Sequence, residues 1–355
     1  MPGSKEVTPG RRNLITDVAG LSVGNAEDER VRTGVTVIMP DSRPENRIVA
    51  GVDVRGGAPG TRETDALDPA RLLEGIIDAL VLAGGSVYGL DAASGVAAWL
   101  GARGRGYVLG ASPQLKPAPI VPAAILFDLA NGGDKEWGED PPYRNLGRAA
   151  CERADQNFAL GNAGAGFGAQ AGLYKGGLGS ASAITQDGFE VGALVAVNAF
   201  GSPVIPGTDC LWAAPYELAG EMGGQVWPRN IGIAALNPLA GSKATASPTP
   251  GGRESTTIGV VALNAEVTPG EASRVATMAQ DGLARALRPV HAPVDGDVIF
   301  VLATARRPLD PATRLLDVTR LGAMAADCVA RAIGRGVYEA QSLGAAQSYR
   351  DRHRR

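Results

Sequence analysis

The junction Ser255–Thr256 separates two different textures of chain. Residues 238–255 are built from Pro, Gly, Ser, Thr and Ala, with little to bury, and read as a mobile surface loop. The run Thr256-Thr-Ile-Gly-Val-Val-Ala-Leu263 resumes immediately as a strand. A chain broken before Thr256 would carry a hydroxyl and a free α-amine on one residue. Such a threonine is an activated nucleophile that brings its own general base. An α-amine titrates near about 7.7–8.0, close to working pH, where a base is effective. Taken by itself, the junction also reads as an ordinary strand start, where threonine is favoured.

Other routes to nucleophilic or metal chemistry are narrow. Only His291 and His353 are present, and His353 sits in the basic tail Arg350–Arg355. A multi-histidine metal site is therefore impossible, and a Ser-His-Asp triad would have to use His291. No GxSxG elbow serves it; Gly84-Gly85-Ser86 comes closest, with its downstream glycine one position late. The run Gly161-Asn-Ala-Gly-Ala-Gly-Phe-Gly168 does not have GxGxxG spacing. It reads instead as a turn bringing backbone N–H groups near an active site. No metal or organic cofactor is implied.

Composition bounds the partners. With 34 Lys and Arg against 37 Asp and Glu, the net charge of -3 argues against a nucleic-acid or anionic-membrane surface. No apolar signal segment opens the chain and no run reaches membrane-spanning length. Cys151, Cys210 and Cys328 are far apart and form no CxxC pair, so a reduced, cytoplasmic compartment is expected.

The elements that would position Thr256 follow from periodicity. Residues 34–39, 47–54, 120–129, 180–185, 190–198, 256–263 and 298–303 read as strands. Asp68-Pro69 predicts a helix through Leu72, Leu73, Ile76, Ile77 and Leu80, and a second helix is expected over about residues 88–100. Thr268-Pro-Gly-Glu271 is a capping box opening a helix with Val275, Met278, Ala279, Leu283 and Leu287 on one face. Asp310-Pro311 opens a last helix, and beyond about Gln341 the chain reads as polar and loose. The 355 residues, 45% hydrophobic and 20% charged, read as one α/β domain with stacked sheets and helices outside.

Several stretches together carry a resemblance. They are Ile15-Thr-Asp-Val-Ala-Gly-Leu-Ser-Val-Gly24, Gly56-Gly-Ala-Pro-Gly-Thr-Arg-Glu-Thr-Asp65, Leu82-Ala-Gly-Gly-Ser-Val-Tyr-Gly-Leu90, Lys175-Gly-Gly-Leu-Gly-Ser180, Thr256-Thr-Ile-Gly-Val-Val-Ala-Leu-Asn264 and Val294-Asp-Gly-Asp-Val-Ile-Phe300. From about Asn13 to Ala340 the chain resembles the DmpA-like N-terminal-nucleophile aminopeptidases, which include the 6-aminohexanoate-oligomer (nylon oligomer) hydrolases. The resemblance implies an α/β/β/α sandwich, self-cleaved into associated chains ending at Ser255 and starting at Thr256. It implies Thr256 as nucleophile, with Lys175, Asn198, Asp295 and Asp297 completing the site, and a homo-oligomer of at least two cleaved units. Substrates would be short peptides or amide oligomers.

Each implied residue has a role to fill. Asn198, at a strand end, would donate its amide to the oxyanion. Lys175 would donate to the Thr256 hydroxyl oxygen. Asp295 and Asp297, straddling Gly296, would hold the α-ammonium and Lys175. An Asp-Gly turn, a strand-end Asn and a solvated loop lysine are the plain alternatives. Ser255 stands where this branch suggests Asn, and Phe127 where it suggests a tyrosine for holding substrate; Tyr88 is either a substitute for that hydroxyl or a core residue. An acyltransferase resembling ornithine acetyltransferase, and an uncleaved small-molecule binding protein, are the rival readings.

Overall fold

The computed structural model describes residues 7–41, 48–71, 75–108, 110, 114–245 and 255–353. The strands are β1 (Val7–Thr8), β2 (Leu21–Asp28), β3 (Thr33–Pro40), β4 (Val49–Val54), β5 (Thr61–Arg62), β6 (Leu80–Ala83), β7 (Ala123–Ile125), β8 (Gln170–Ala171), β9 (Tyr174–Lys175), β10 (Gly177–Thr185), β11 (Glu190–Asn198), β12 (Thr256–Ala265) and β13 (Val298–Arg307). The α-helices are α1 (Asp91–Gly101), α2 (Tyr143–Glu152), α3 (Ile233–Leu236), α4 (Pro269–Ala279), α5 (Asp281–Ala286), α6 (Arg314–Tyr338) and α7 (Tyr349–His353).

Two sheets stack. One runs β1-β10-β11-β12-β13-β4 and the other β2-β3-β6-β7-β5. Three apolar layers hold the sandwich together. Ile258, Val260, Ala262, Leu194, Val298 and Phe300 meet Val23, Ile38, Leu80 and Leu82 between the sheets. The other faces of the same strands, with Val261, Leu263, Val195 and Val301, pack against Val275, Leu283, Leu321 and Val329 of α4, α5 and α6. Val35, Val37, Val81 and Ala123 pack against Ala92, Val96 and Ala150 of α1 and α2. The order is helix, sheet, sheet, helix, the four-layer α/β sandwich. It explains why β11 and β12 are apolar without alternation: both faces are covered.

The capping box at α4 forms as its spacing predicts: Glu271 N donates to Thr268 Oγ1 at 3.2 Å, and Thr268 N to Glu271 Oε2 at 2.8 Å. The helix expected from Asp68 through Leu80 does not. Gly75 turns the chain in a left-handed conformation (φ +72°) and its carbonyl receives Ala50 N, while Leu80–Ala83 becomes an inner strand buried on both faces. Residues 72–74 of that expected helix lie outside the described residues, as do residues 246–254 of the loop before Thr256. Only Ala123–Ile125 of the expected strand 120–129 pairs. The chain end is not loose: Ser348 and Tyr349 are buried, and Tyr349 packs its ring near Tyr338 and Tyr174. Among the described residues, no helix is long and apolar enough to cross a membrane.

Candidate active site

Thr256 is the first residue of β12, and its register partner is Asn198, the last residue of β11. Ser255 lies beside Asp295 in a short parallel bridge that continues the β12–β13 pairing past its regular end. The strand ends of β11, β12 and β13 thus converge on the Ser255–Thr256 bond. Ser255 and Thr256 are both buried. The Thr256 hydroxyl donates to the Ser255 carbonyl oxygen at 2.6 Å, and Gly296 N donates to that same oxygen at 2.9 Å. A Cβ on Gly296 would stand 2.7 Å from Thr256 Oγ1, so only glycine fits there without displacing the hydroxyl.

Asp295 and Asp297 flank this glycine and are both buried. Asp297 Oδ1 accepts from Thr257 N at 2.8 Å; its Oδ2 accepts from His291 N at 3.1 Å and lies 2.9 Å from His291 Nδ1. Asp295 accepts from Phe200 N at 3.2 Å and Ala292 N at 2.9 Å. Burial, then the neighbouring Asp297 charge, pushes the Asp295 carboxyl up to about 6. The segment Arg55–Ala58 latches over both: Arg55 N donates to the Asp297 carbonyl and Ala58 N to that of Asp295. A Cβ on Gly56 would lie 2.2 Å from Asp297 N, which accounts for glycine at that close approach.

Asn198 is fully buried. Its Nδ2 donates to the Phe127 carbonyl at 2.8 Å, and its Oδ1 receives Gln170 N at 2.9 Å, Asn131 Nδ2 at 3.3 Å and Lys243 Nζ at 3.3 Å. An amide nitrogen carries two protons, so a second remains beside the one given to Phe127. Phe127 therefore enters the site through its backbone carbonyl. Tyr88 is largely exposed and stands edge-on to Trp137, 5.5 Å between centroids; no bond ties it to Thr256 or Asn198.

The lysines are arranged differently from the sequence expectation. Lys175 Nζ donates to the carbonyls of Gly166 at 3.1 Å and Gly176 at 2.8 Å, and its acidic neighbour is the buried Asp128, not Asp295 or Asp297. Burial pulls Lys175 down to about 7, against the opposing pull of Asp128. The glycine-rich run thus contributes a carbonyl, where N–H groups are expected from sequence. The lysine beside Asp295 is Lys243, also brought down to about 7 by burial, with Asp295 opposing. Asp128 accepts from Thr33 Oγ1 at 2.7 Å and Gly85 N at 2.8 Å. Lys243, Asp128 and Gly296 were not singled out by sequence pattern: two are polar residues in irregular segments, and a glycine announces no chemistry. Among the described residues, no group of three or more His, Cys, Asp or Glu could hold a metal.

Comparison with known proteins gives the family and the fold likeness. Residues 13–350 match the model of Peptidase family S58. The chain is 44% identical to an uncharacterized aminopeptidase of Mycobacterium tuberculosis (strain ATCC 25618 / H37Rv), over 96% of this chain and 97% of that protein. It is 30% identical to a 6-aminohexanoate-oligomer endohydrolase of Kocuria sp. (strain KY2), over 90% of this chain and 84% of that protein. In fold it is similar to the L-aminopeptidase D-Ala-esterase/amidase of Ochrobactrum anthropi, a variant of the Ntn hydrolase fold, with a TM-score of 0.65 and 21% identity over 97% of this chain and 90% of that one.

Proposed function

The chain belongs to peptidase family S58, and from that membership we propose an amide hydrolase that cleaves itself between Ser255 and Thr256 and then uses Thr256 as its nucleophile. Its substrates are short peptides or amide oligomers, and its working form is a homo-oligomer of cleaved units, at least a dimer. One observation carries the reading. The Ser255 carbonyl oxygen holds both the Thr256 hydroxyl at 2.6 Å and the Gly296 N–H at 2.9 Å. Hydroxyl, scissile carbonyl and a fixed donor are already together.

In processing, Thr256 Oγ attacks the Ser255 carbonyl carbon. The Gly296 N–H supports the oxyanion, the C–N bond breaks, and the Thr256 nitrogen takes a proton as an ester forms. Water then releases Ser255 as a carboxylate and leaves Thr256 with a free amine. In turnover that amine is the base. Oγ attacks the substrate carbonyl, the second Asn198 amide proton supports the oxyanion, and water hydrolyses the acyl-enzyme. In its protonated form Lys175 has three donors, two of them spent on carbonyls, and the third serves the nucleophile. Asp295 and Asp297 fix the backbone around Thr256 through Phe200, Ala292, Thr257 and His291.

Intact-mass analysis after expression tests the reading: a fragment beginning at Thr256 is expected, and Thr256→Ala should remain one chain. Amide hydrolysis by a protein that stays uncut under all conditions would remove Thr256 from the role. Sedimentation at micromolar concentration should give at least twice the mass of one cleaved unit; a strict monomer would contradict the assembly.

A further inference from the structure

Lys243 is the lysine at this site with no role so far. It stands on a short 3-10 turn, Lys243–Thr245, twelve positions before the scissile bond, and it is anchored at both ends. Its backbone N donates to the Phe200 carbonyl at 2.9 Å, and its Nζ reaches the Asn198 side-chain oxygen at 3.3 Å and the Asn198 carbonyl oxygen at 3.4 Å. Two residues past that strand end, Phe200 gives its N–H to Asp295. Lys243 therefore sits between the two halves of the candidate site, the Asn198 side and the Asp295 side.

The geometry assigns Lys243 as a positioning residue for amide hydrolysis, holding the Asn198 side-chain oxygen so that the amide proton not given to Phe127 faces the reacting carbonyl. This rests on the reading of Asn198 as oxyanion donor. The physical argument concerns which way an amide can lie. Its two ends differ only in donor and acceptor character, so neighbours decide the orientation. At Asn198, Gln170 N, Asn131 Nδ2 and Lys243 Nζ are donors that demand an oxygen, and the Phe127 carbonyl demands a nitrogen. Below about pH 7, where it keeps its proton, Lys243 is the cation of the three donors, and a charge-assisted bond is the stronger kind. It is also the one carried by the segment that leads to the scissile bond. Charged groups facing it are Asp295 alone among those that perturb it.

The test compares Lys243→Met, Lys243→Arg and Asn198→Ala. The readout is kcat and KM on aminoacyl p-nitroanilides and amide oligomers, expressed per cleaved chain. Lys243→Met should lower kcat about 10- to 100-fold, the scale expected when a reacting group is misplaced by a distant change. KM should stay near that of the unaltered protein, and Lys243→Arg should recover most of the loss. Asn198→Ala should cost about 100-fold or more, as loss of an oxyanion donor does. Unchanged kcat in Lys243→Met, with Asn198→Ala impaired, overturns the assignment. Unchanged kcat in Asn198→Ala removes the Asn198 reading itself, and the assignment falls with it. A Lys243→Met chain that stays uncut overturns the assignment, because processing uses the Gly296 N–H and not Asn198. If the unaltered protein turns over none of these substrates, acylation of Thr256 by p-nitrophenyl acetate, read as nitrophenolate released per cleaved chain, becomes the readout: loss with methionine and recovery with arginine supports the role, and no loss with methionine overturns it.

Discussion

At Asp297 both carboxylate oxygens are engaged, by Thr257 N on one side and by His291 N and its ring on the other. Replacing the acid by Asn keeps one acceptor and turns a donor toward the N–H of His291 or Thr257. A buried donor left facing a donor costs about 1–3 kcal/mol. Asp297→Asn should therefore lower the urea midpoint as well as turnover per cleaved chain. A plain surface turn would move neither; unchanged stability with unchanged turnover would reduce the pair to that. Processing should be slower but not abolished, because Gly296 N and Thr256 remain. Gly296→Ala tests the opposite balance. Its Cβ would fall 2.7 Å from Thr256 Oγ1 and from the Ala58 carbonyl oxygen, so a mass time course should show self-cleavage stopped or strongly slowed.

What was legible at this scale was a set of candidates, not their wiring. The loop-to-strand switch marked Thr256 while also reading as an ordinary strand start, and resemblance supplied Asn198, Lys175, Asp295 and Asp297; the fold sets Asn198 opposite Thr256 and Asp295 beside Ser255, and holds Lys175 on β9. Partners were not legible. That Lys175 faces Asp128 and that Lys243 faces Asp295 depends on how segments far apart in sequence pass each other, and no periodicity encodes that.

At the scale of elements, α6 lies against β10 and β11 at backbone distance. A Cβ on Gly179 would stand 1.8 Å from the Ala332 carbonyl oxygen and 2.4 Å from Gly336 N. Both are helix backbone and cannot swing aside. Gly179→Ala should cost about 1–3 kcal/mol or more, as overpacking of a close interface does, read as a lowered urea midpoint. An unchanged midpoint would show that the helix can shift at little cost. Elements covered on both faces were the easiest to read: β11 and β12 appear as unbroken apolar runs. The misread helix before β6 shows the reverse. Leu80 to Ala83 is also an unbroken apolar run, and a capping signal upstream made it look helical, but Gly75 ends any helix and the pairing with β3 and β7 decides its state.

For the whole molecule, the buried Lys175 and the half-buried Lys243 make stability depend on pH in a definite direction. Lys175 and Lys243 titrate at about 7 in the fold, whereas a free lysine holds its proton to about 10.4. Between those values the unfolded chain binds more protons than the folded one, so stability rises with pH from about 7 toward 10. Lys175→Met should flatten part of this rise, measured as urea midpoints at about pH 7.5 and 9.5. A slope identical to that of the unaltered protein would mean the Lys175 charge is not suppressed in the fold. Asp295 acts in the opposite sense at lower pH: raised to about 6 in the fold, it contributes stability that is lost as pH rises from about 4 to 6.

The strand order has a consequence for inheritance and assembly. In the larger sheet, β12 and β13 follow Ser255 in the chain, while their outer neighbours, β11 and β4, precede it. A cut at that bond makes the later piece a tenon seated in a mortise cut from the earlier one. Withdrawing it means unzipping eight paired positions along β11 and six along β4 together, and stripping α4, α5 and α6 from the face they cover. Two such pieces should not trade mates. Cleaved protein labelled with heavy isotopes, mixed with unlabelled protein under native conditions, should yield no unit that pairs a labelled piece with an unlabelled one by native mass spectrometry, and each active unit would keep for life the partner it was translated with.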